Sequence, residues 1–435
     1  MMNRAATAGS YTPLKLFLFL SFFIMGVSGS QLAALLPEIR HAFQISFQQA
    51  GSAMAGLSAG LLISMFAGIF IMDRLNRKKT LILGGILWAT GFAMMIFATE
   101  FHWFLAGLTV TGSGFGLYQT GASVTMATLA TRGKGKEVGY LNLFFGLGAV
   151  VAPLLATWTV RLGNWRLAYG VCLVMVIIMQ GLLLRIHFPE TVTGGSKHSK
   201  GFSGLLLLIG LLAFAYPLTE QTVGSWISEY WFQAGNQQWV PYSLIPAVFW
   251  MTFTIGRGFS GRLADKMGYE RYLTGVLTGY VLVTAVWVLF PSPVMTLFML
   301  PLMGLLLAGV FPVIVVLISD AFPQSVGSAT SVVFTFLALG SVLAPRITGN
   351  TIEQTGVTGL PVILLAGAVV SWLLSTVILL WRRQQTKGQV SSMTGKDVRL
   401  AVNGVHLSEQ LQQVPLPVIC TESSGEEAAC GGERA

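Results

Sequence analysis

The stretch GAVVAP at residues 148–153 is written again, nearly letter for letter, as GSVLAP at residues 340–345, 192 positions later. Two further pairs share that offset. Asp73 in IMDRLNRKK (71–79) matches Asp265 in LADKMGYER (263–271), and Gly112 in TGSGFG (111–116) matches Gly304 in MGLLLAG (303–309). A single glycine match is cheap, but three pairs in one register, each in a different apolar run, are not. The chain reads as an internal duplication.

What is duplicated is a set of six apolar runs. Of the 435 residues, 54% are hydrophobic and only 10% charged, against about 25% charged in a typical soluble domain. The apolar runs repeatedly reach roughly 20 residues, the length that crosses about 30 Å of hydrocarbon. Twelve such spans are expected, near 14–36, 50–72, 79–99, 102–130, 138–160, 167–188, 203–231, 241–264, 271–290, 294–319, 326–348 and 359–381. The first begins like a secretory signal, but its apolar character continues through QLAALLP (31–37), so it reads as an uncleaved helix.

The fold class is therefore an all-α polytopic membrane protein of twelve helices in two six-helix pseudo-repeats. Residues 1–190 form the first half, 191–202 a polar glycine-rich linker, 203–385 the second half, and 386–435 a disordered cytoplasmic tail. Within that tail, 405–414 could form a short helix. If the N-terminus is cytoplasmic, about eighteen Lys and Arg up to Lys387 fall in inside segments and only Arg40, Arg161, Arg166 and Arg346 outside. That bias places both termini in the cytoplasm. The net charge of +9 is thus that of loops facing anionic lipid, not of a nucleic-acid binder. Three cysteines, Cys172, Cys420 and Cys430, give no disulfide framework.

Several stretches then carry a resemblance. The loop GRLADKMGYER (261–271) resembles the signature loop of the major facilitator superfamily, and GAVVAP and GSVLAP resemble its glycine–proline spans. Parallel six-helix halves with a site near mid-membrane are the architecture this implies. On the loops, Asp73, Arg74 and Arg77, with Gly261, Asp265, Lys266 and Arg271, are the expected gating residues. In the first copy Ile69 replaces the leading glycine and Asn76 the turn glycine, and Asn tolerates a left-handed turn.

GFGLYQTGASV (114–124), YLNLFFGLGAVVAPLL (140–155), YPLTEQTVGSWISEYW (216–231), FWMTFTIGRGFSGRLAD (249–265) and LLLAGVFPVIV (305–315) are together similar to the fucose–proton and glucose/mannose–proton symporter branch. The resemblance implies a sugar moved with a proton through a bacterial inner membrane. Two acids of that branch are absent: Ala33 stands at one position and Gln119 at the other. Coupling by the usual route is therefore in doubt.

The remaining acid at depth is Glu220, roughly 25 Å along the seventh span, next to Pro217. A carboxylate there is expensive and calls for a role, either as proton carrier and hydroxyl acceptor or as a structural hydrogen-bonding group. Glu229 lies nearer the interface among Trp226, Tyr230 and Trp231. It is expected to be solvated, or paired with Arg346 or Arg166. Gln119, Asn142 and Gln31 offer amides and Tyr118 and Trp226 aromatic faces, which suit a sugar, although interhelical hydrogen bonding explains each amide equally well. Arg257 is expected to snorkel toward the cytoplasmic surface.

No phosphate-binding loop, metal-ligand spacing or nucleophile–base pair is readable, so neither an enzyme nor a bound cofactor or metal is expected. The sequence leaves three functions open: a sugar or polyol carrier with a coupling proton or cation, an exporter of drugs or metabolites on the same fold, and a transporter-shaped sensor.

Overall fold

The computed structural model describes residues 12–74, 76–129, 134–186, 188, 203–234, 240–323 and 325–392. It does not describe the side chains of 65, 66, 68–74, 127, 134–138, 327 and 385–392. The linker expected at 191–202 and the tail beyond 392, with its 405–414 stretch, lie outside the described residues.

The described elements are helices: α1 (Thr12–Gly29), α2 (Gln31–Ala34), α3 (Leu36–Phe43), α4 (Phe47–Arg74), α5 (Arg77–Phe97), α6 (Phe101–Leu129), α7 (Lys134–Arg161) and α8 (Arg166–Arg185) precede the undescribed linker. After it come α9 (Gly204–Ala215), α10 (Pro217–Gln233), α11 (Ile245–Met267), α12 (Tyr269–Leu289), α13 (Pro293–Leu307), α14 (Val310–Ala321), α15 (Val326–Thr355) and α16 (Leu360–Ser392), with 3₁₀ turns at Tyr242–Leu244 and Val357–Gly359. Every expected span contains a helix. Three are assembled from shorter pieces: α1–α2, α9–α10 and α13–α14. Among the described residues nine spans are long and apolar enough by themselves to cross a membrane; α4, α6 and α11 complete the twelve. GLLLLIGLLAFA in α9 is apolar on every face, as a helix between lipid and protein must be.

The repeat seen in the sequence recurs in the packing. A Cβ on Gly112 would lie 2.0 Å from the Leu57 carbonyl oxygen, and one on Gly304 2.6 Å from that of Phe249. Likewise, Gly148 sits with its virtual Cβ 2.0 Å from the Phe23 oxygen and Gly340 2.2 Å from the Phe214 oxygen. Each glycine admits a neighbouring backbone where any side chain would collide, the close approach that helix pairs in lipid depend on. Pro153 and Pro345 lie within continuous helices, α7 and α15.

The start of α4 shows how a helix end is satisfied at the membrane edge. Ser46 Oγ accepts from the Gln49 amide at 3.2 Å while Gln49 Oε1 accepts from the Ser46 amide at 2.9 Å, a capping box. The two amides in between, of Phe47 and Gln48, donate to Glu353 Oε2 on α15 at 2.7 and 3.3 Å. Asn76 also caps, contrary to the left-handed turn expected of it. Its backbone is extended, and its side chain accepts from the Lys79 amide at 2.9 Å. The cap wins because an Asn oxygen satisfies an orphan helix amide at no cost in backbone strain. Gly268, in the second copy, does take a positive φ of 85°.

Among the described residues, the side-chain hydrogen bonds and ion pair joining the first six spans to the last six gather at the end of the bundle where α3 lies. Arg40 on α3 forms an ion pair with Glu229 on α10. Tyr242 Oη donates to Glu38 Oε1 at 2.6 Å, and Thr157 and Ser243 hydroxyls meet at 2.6 Å. Gly51 on α4 and Gly349 on α15 bring backbones together beside them.

Glu229 is thus neither solvated nor held by Arg346 or Arg166; it is fully buried, with Arg40 as its cation. Helix α3 packs against α10 and supplies the charge. Trp226, Tyr230 and Trp231 are buried as well instead of forming an interfacial belt.

Candidate functional site

A cavity of about 250 Å³ lies between the two sets of spans. From the first set it is lined by Ser28, Gly29, Ser30, Leu32 and Ala33 at the α1–α2 break, by Met54, Leu57, Ser58 and Leu61 on α4, by Thr111, Gly112 and Phe115 on α6, and by Phe145 on α7. The second set contributes Glu220, Gln221, Gly224 and Ser225 on α10, Trp250 on α11 and Pro345 on α15.

The local sequence explains the α10 wall. Pro217 has no amide hydrogen and cannot continue the α9 ladder, but it is well suited to the first turn of a new helix. The chain therefore breaks at Tyr216 and restarts, and Thr219 Oγ1 donates to the Tyr216 carbonyl at 2.6 Å. Glu220 consequently sits in a first helical turn, where a negative charge is favoured, with its side chain on the cavity. Gln221 is held by a hydrogen bond from its Nε2 to Ser341 Oγ at 3.0 Å. At Gly224 the missing side chain admits the Trp250 indole, whose Cζ2 is 3.2 Å from where a Cβ would stand. Trp250 Nε1 is buried without a hydrogen-bond partner among the described residues. Among the described residues Glu220 is the one ionisable residue on the cavity wall.

The other residues singled out in the sequence stand elsewhere. Gln31 is buried and donates to the Ala152 carbonyl at 3.2 Å. Tyr118 is buried against Trp88, its hydroxyl 3.4 Å from that of Ser21. Trp226 is buried with its ring 6.2 Å from Phe47. Gln119 is half-buried and Asn142 exposed. None of these five lines the cavity; helices apolar all round do not disclose which face looks inward. Ala33 does line it, so the acid missing from the first span is missing from the cavity wall itself.

Of the residues expected at the gate, the side chains of Asp73 and Arg74 lie outside the described ones. Arg77 ties α5 to α6 through Thr128 Oγ1 at 2.7 Å. Asp265 accepts from Tyr269 Oη at 3.3 Å, while Gly261, Lys266 and Arg271 are exposed.

Sequence reasoning missed Gln221, Ser225, Trp250 and Arg40. The signal for the first two was present, since residues 220, 221, 224 and 225 form one helical stripe.

The family model of the Major Facilitator Superfamily matches residues 18–345 and again 210–417. The chain belongs to that superfamily. It is a multi-pass membrane transporter with the twelve-helix major facilitator fold, not an enzyme.

Among curated relatives, a TsgA homolog of Buchnera aphidicola subsp. Schizaphis graminum is 20% identical over 346 residues, covering 78% of this chain and 89% of that protein. The glucose/mannose transporter GlcP of Bacillus subtilis is 21% identical over 361 residues, covering 78% and 88%. The solved D-xylose–proton symporter superposes with a TM-score of 0.67 at 14% identity, over 84% of this chain and 97% of that one. The fucose–proton symporter FucP of E. coli gives 0.60 at 18% identity, over 85% and 99%.

Proposed function

We propose that this transporter carries a sugar, or a polyol of monosaccharide size, by alternating access between two six-helix halves, 1–190 and 203–385. The observation that carries the reading is the cavity: walls from both sets of spans, a carboxylate, an amide and hydroxyls on one side, and an indole with a free N–H beside them. Sugar hydroxyls need paired donors and acceptors, and sugar C–H faces stack on aromatic rings. At about 250 Å³ the cavity falls below the range of roughly 300–1,000 Å³ usual for drug-sized ligands. Similarity to a glucose/mannose transporter and to sugar–proton symporters supports the same class.

In this reading Glu220, Gln221, Ser225 and Trp250 meet the solute. Gln31, Tyr118 and Trp226 support the wall from behind; Gln119 and Asn142 lie along the approach. Asp265, Lys266, Arg271 and Gly261, with Asp73, Arg74 and Arg77, act at the gate. The Lys and Arg bias puts both termini in the cytoplasm, of a bacterial inner membrane by analogy with the relatives. The joined α3 end then faces outward and the structure is the inward-facing state. A second reading, an exporter of lipophilic compounds, draws on the apolar part of the wall, Met54, Leu57, Leu61, Phe115 and Phe145.

A thermal-unfolding screen of purified protein against hexoses, deoxyhexoses, pentoses, polyols and lipophilic cations separates the two. A ligand at 100 times its dissociation constant stabilises by about 2.7 kcal/mol. A shift with one sugar class that Glu220→Gln removes supports the sugar carrier. A shift with lipophilic cations alone rejects it in favour of the exporter.

A further inference from the structure

The cavity wall is divided by chemistry, and the division follows the two sets of spans. On the second set, Glu220, Gln221 and Ser225 stand together on α10. Gln221 donates from Nε2 to Ser341 Oγ at 3.0 Å, which leaves its Oε1 as an acceptor. Trp250 stands beside them, held edge-on by Phe249 and Phe253 with ring centroids 5.3 and 5.4 Å away. Arg257, expected to snorkel, instead lies over the Phe253 ring, 4.5 Å from its centroid and with its Nε buried, and so backs the same aromatic group.

The first set presents Met54, Leu57 and Leu61 on α4, Phe115 on α6 and Phe145 on α7. The α4 residues are spaced i, i+3 and i+7, one helical face. Gly112 and Gly116 press α6 onto that helix: a Cβ on Gly112 would lie 2.0 Å from the Leu57 oxygen, and one on Gly116 2.8 Å from the Leu61 oxygen. Phe115, next to Gly116, is fixed edge-on against Trp88 at 5.6 Å and Phe145 at 6.4 Å. The apolar wall is therefore preformed. Thr111 turns its hydroxyl toward α5, where Oγ1 donates to Met95 Sδ at 3.7 Å. Ser28 and Ser30 belong to the α1–α2 break, so Ser58 is the polar exception on the α4 face.

A plain monosaccharide does not match two such walls. Its hydroxyls run all round its edge, and those turned toward Met54, Leu57 and Leu61 would lose water without gaining a partner. Its C–H face can stack on an aromatic ring, but Trp250 already offers one on the polar side.

We infer that the solute is a glycoside: a sugar whose hydroxyls meet α10 and Trp250, joined to a short alkyl or aryl group that fills the apolar wall of α4, α6 and α7. This rests on the carrier reading above and narrows it. A lone methyl would touch only a small part of a wall built from five large side chains, so the group has several carbons.

The test is a homologous series on the full chain in phospholipid nanodiscs, because glycoside detergents would themselves compete. D-glucose, D-galactose and D-xylose are titrated beside their methyl, ethyl, propyl, butyl and phenyl glycosides in both anomers, with binding read from thermal unfolding. Each added methylene should tighten binding about three- to four-fold, the worth of one buried CH₂, or on the order of forty-fold from methyl to butyl. Leu61→Ser should shrink that step. Gln221→Ala should weaken every member about five-fold, the worth of one net hydrogen bond, and keep the step. If Leu61→Ser does not fold, Met54→Gln tests the same face, and the wild-type series decides by itself.

A wild-type affinity that is flat or falls along the series overturns the inference, and the carrier reading stands as long as the free sugars bind. A shift from 1-butanol equal to that from the butyl glycosides also overturns it, in favour of a lipophilic solute. No shift from any sugar or glycoside removes both readings.

Discussion

Arg40→Met should unfasten the α3 end of the protein. Glu229 is 0% exposed and Arg40 17%. Of the two carboxylate oxygens, Oε1 is held by Arg40 and by Gln233 Nε2 at 3.0 Å, while Oε2 has no partner among the described residues. Removing Arg40 strands a buried anion on one neutral donor, and breaking a buried pair from one side costs about 3–5 kcal/mol. The upper part of that range is expected here, because the guanidinium also stacks on Phe47, 3.6 Å from the ring centroid. Glu229→Gln should fall at the lower end, since the cation left behind is partly in water. In the double variant the two losses should not add, and a coupling of at least about 2 kcal/mol should remain.

Unfolding in detergent measures the energies. A single cysteine at Ser58, in a background lacking Cys172, Cys420 and Cys430, reports access to the cavity. A membrane-impermeant maleimide applied from the α3 side should label it faster in Arg40→Met. Additive losses together with an unchanged labelling rate would refute the latch.

Further outcomes follow from the packing and the cavity. Gly148→Ala and Gly340→Ala place a Cβ 2.0 and 2.2 Å from backbone oxygens and should each abolish the folded fraction in size-exclusion profiles. Gly181→Ala, in α8 with nothing within 4 Å of the new carbon, should instead gain up to about 1 kcal/mol in helix propensity. Trp250→Phe keeps the ring and removes the free indole N–H. The affinity for whichever sugar the screen identifies should fall about five-fold, the worth of one net hydrogen bond, as read by thermal-shift titration. Deleting residues 393–435 should leave counterflow intact, because every cavity residue precedes them; loss of counterflow would assign that segment a part in transport.

The spans were legible because crossing a bilayer fixes helix length and the repeat offset fixes their number. Pro217 announced the break that turns Glu220 toward the cavity. The breaks after Gly29 and near Ala308 had no such marker. Direction was the harder quantity. In a water-soluble helix the polar face marks the surface, but here lipid and protein interior are equally apolar. Tyr118, Trp226 and Gln31 therefore looked as suitable for the cavity as Trp250 and Gln221. Glu229 misled for a different reason: hydropathy reports position along the membrane normal, and nothing in it foretells that α3 packs against α10 and brings Arg40 beside an acid 189 residues away.

The cap on α4 has a consequence for biogenesis. Its local half, Ser46 with Gln49, exists as soon as the second span leaves the ribosome. The other half, Glu353, is encoded 306 residues after Phe47. At about 5–20 residues per second the amides of Phe47 and Gln48 wait about 15 to 60 s for it. A nascent chain stalled before its eleventh span therefore carries a second span whose first turn is only half secured.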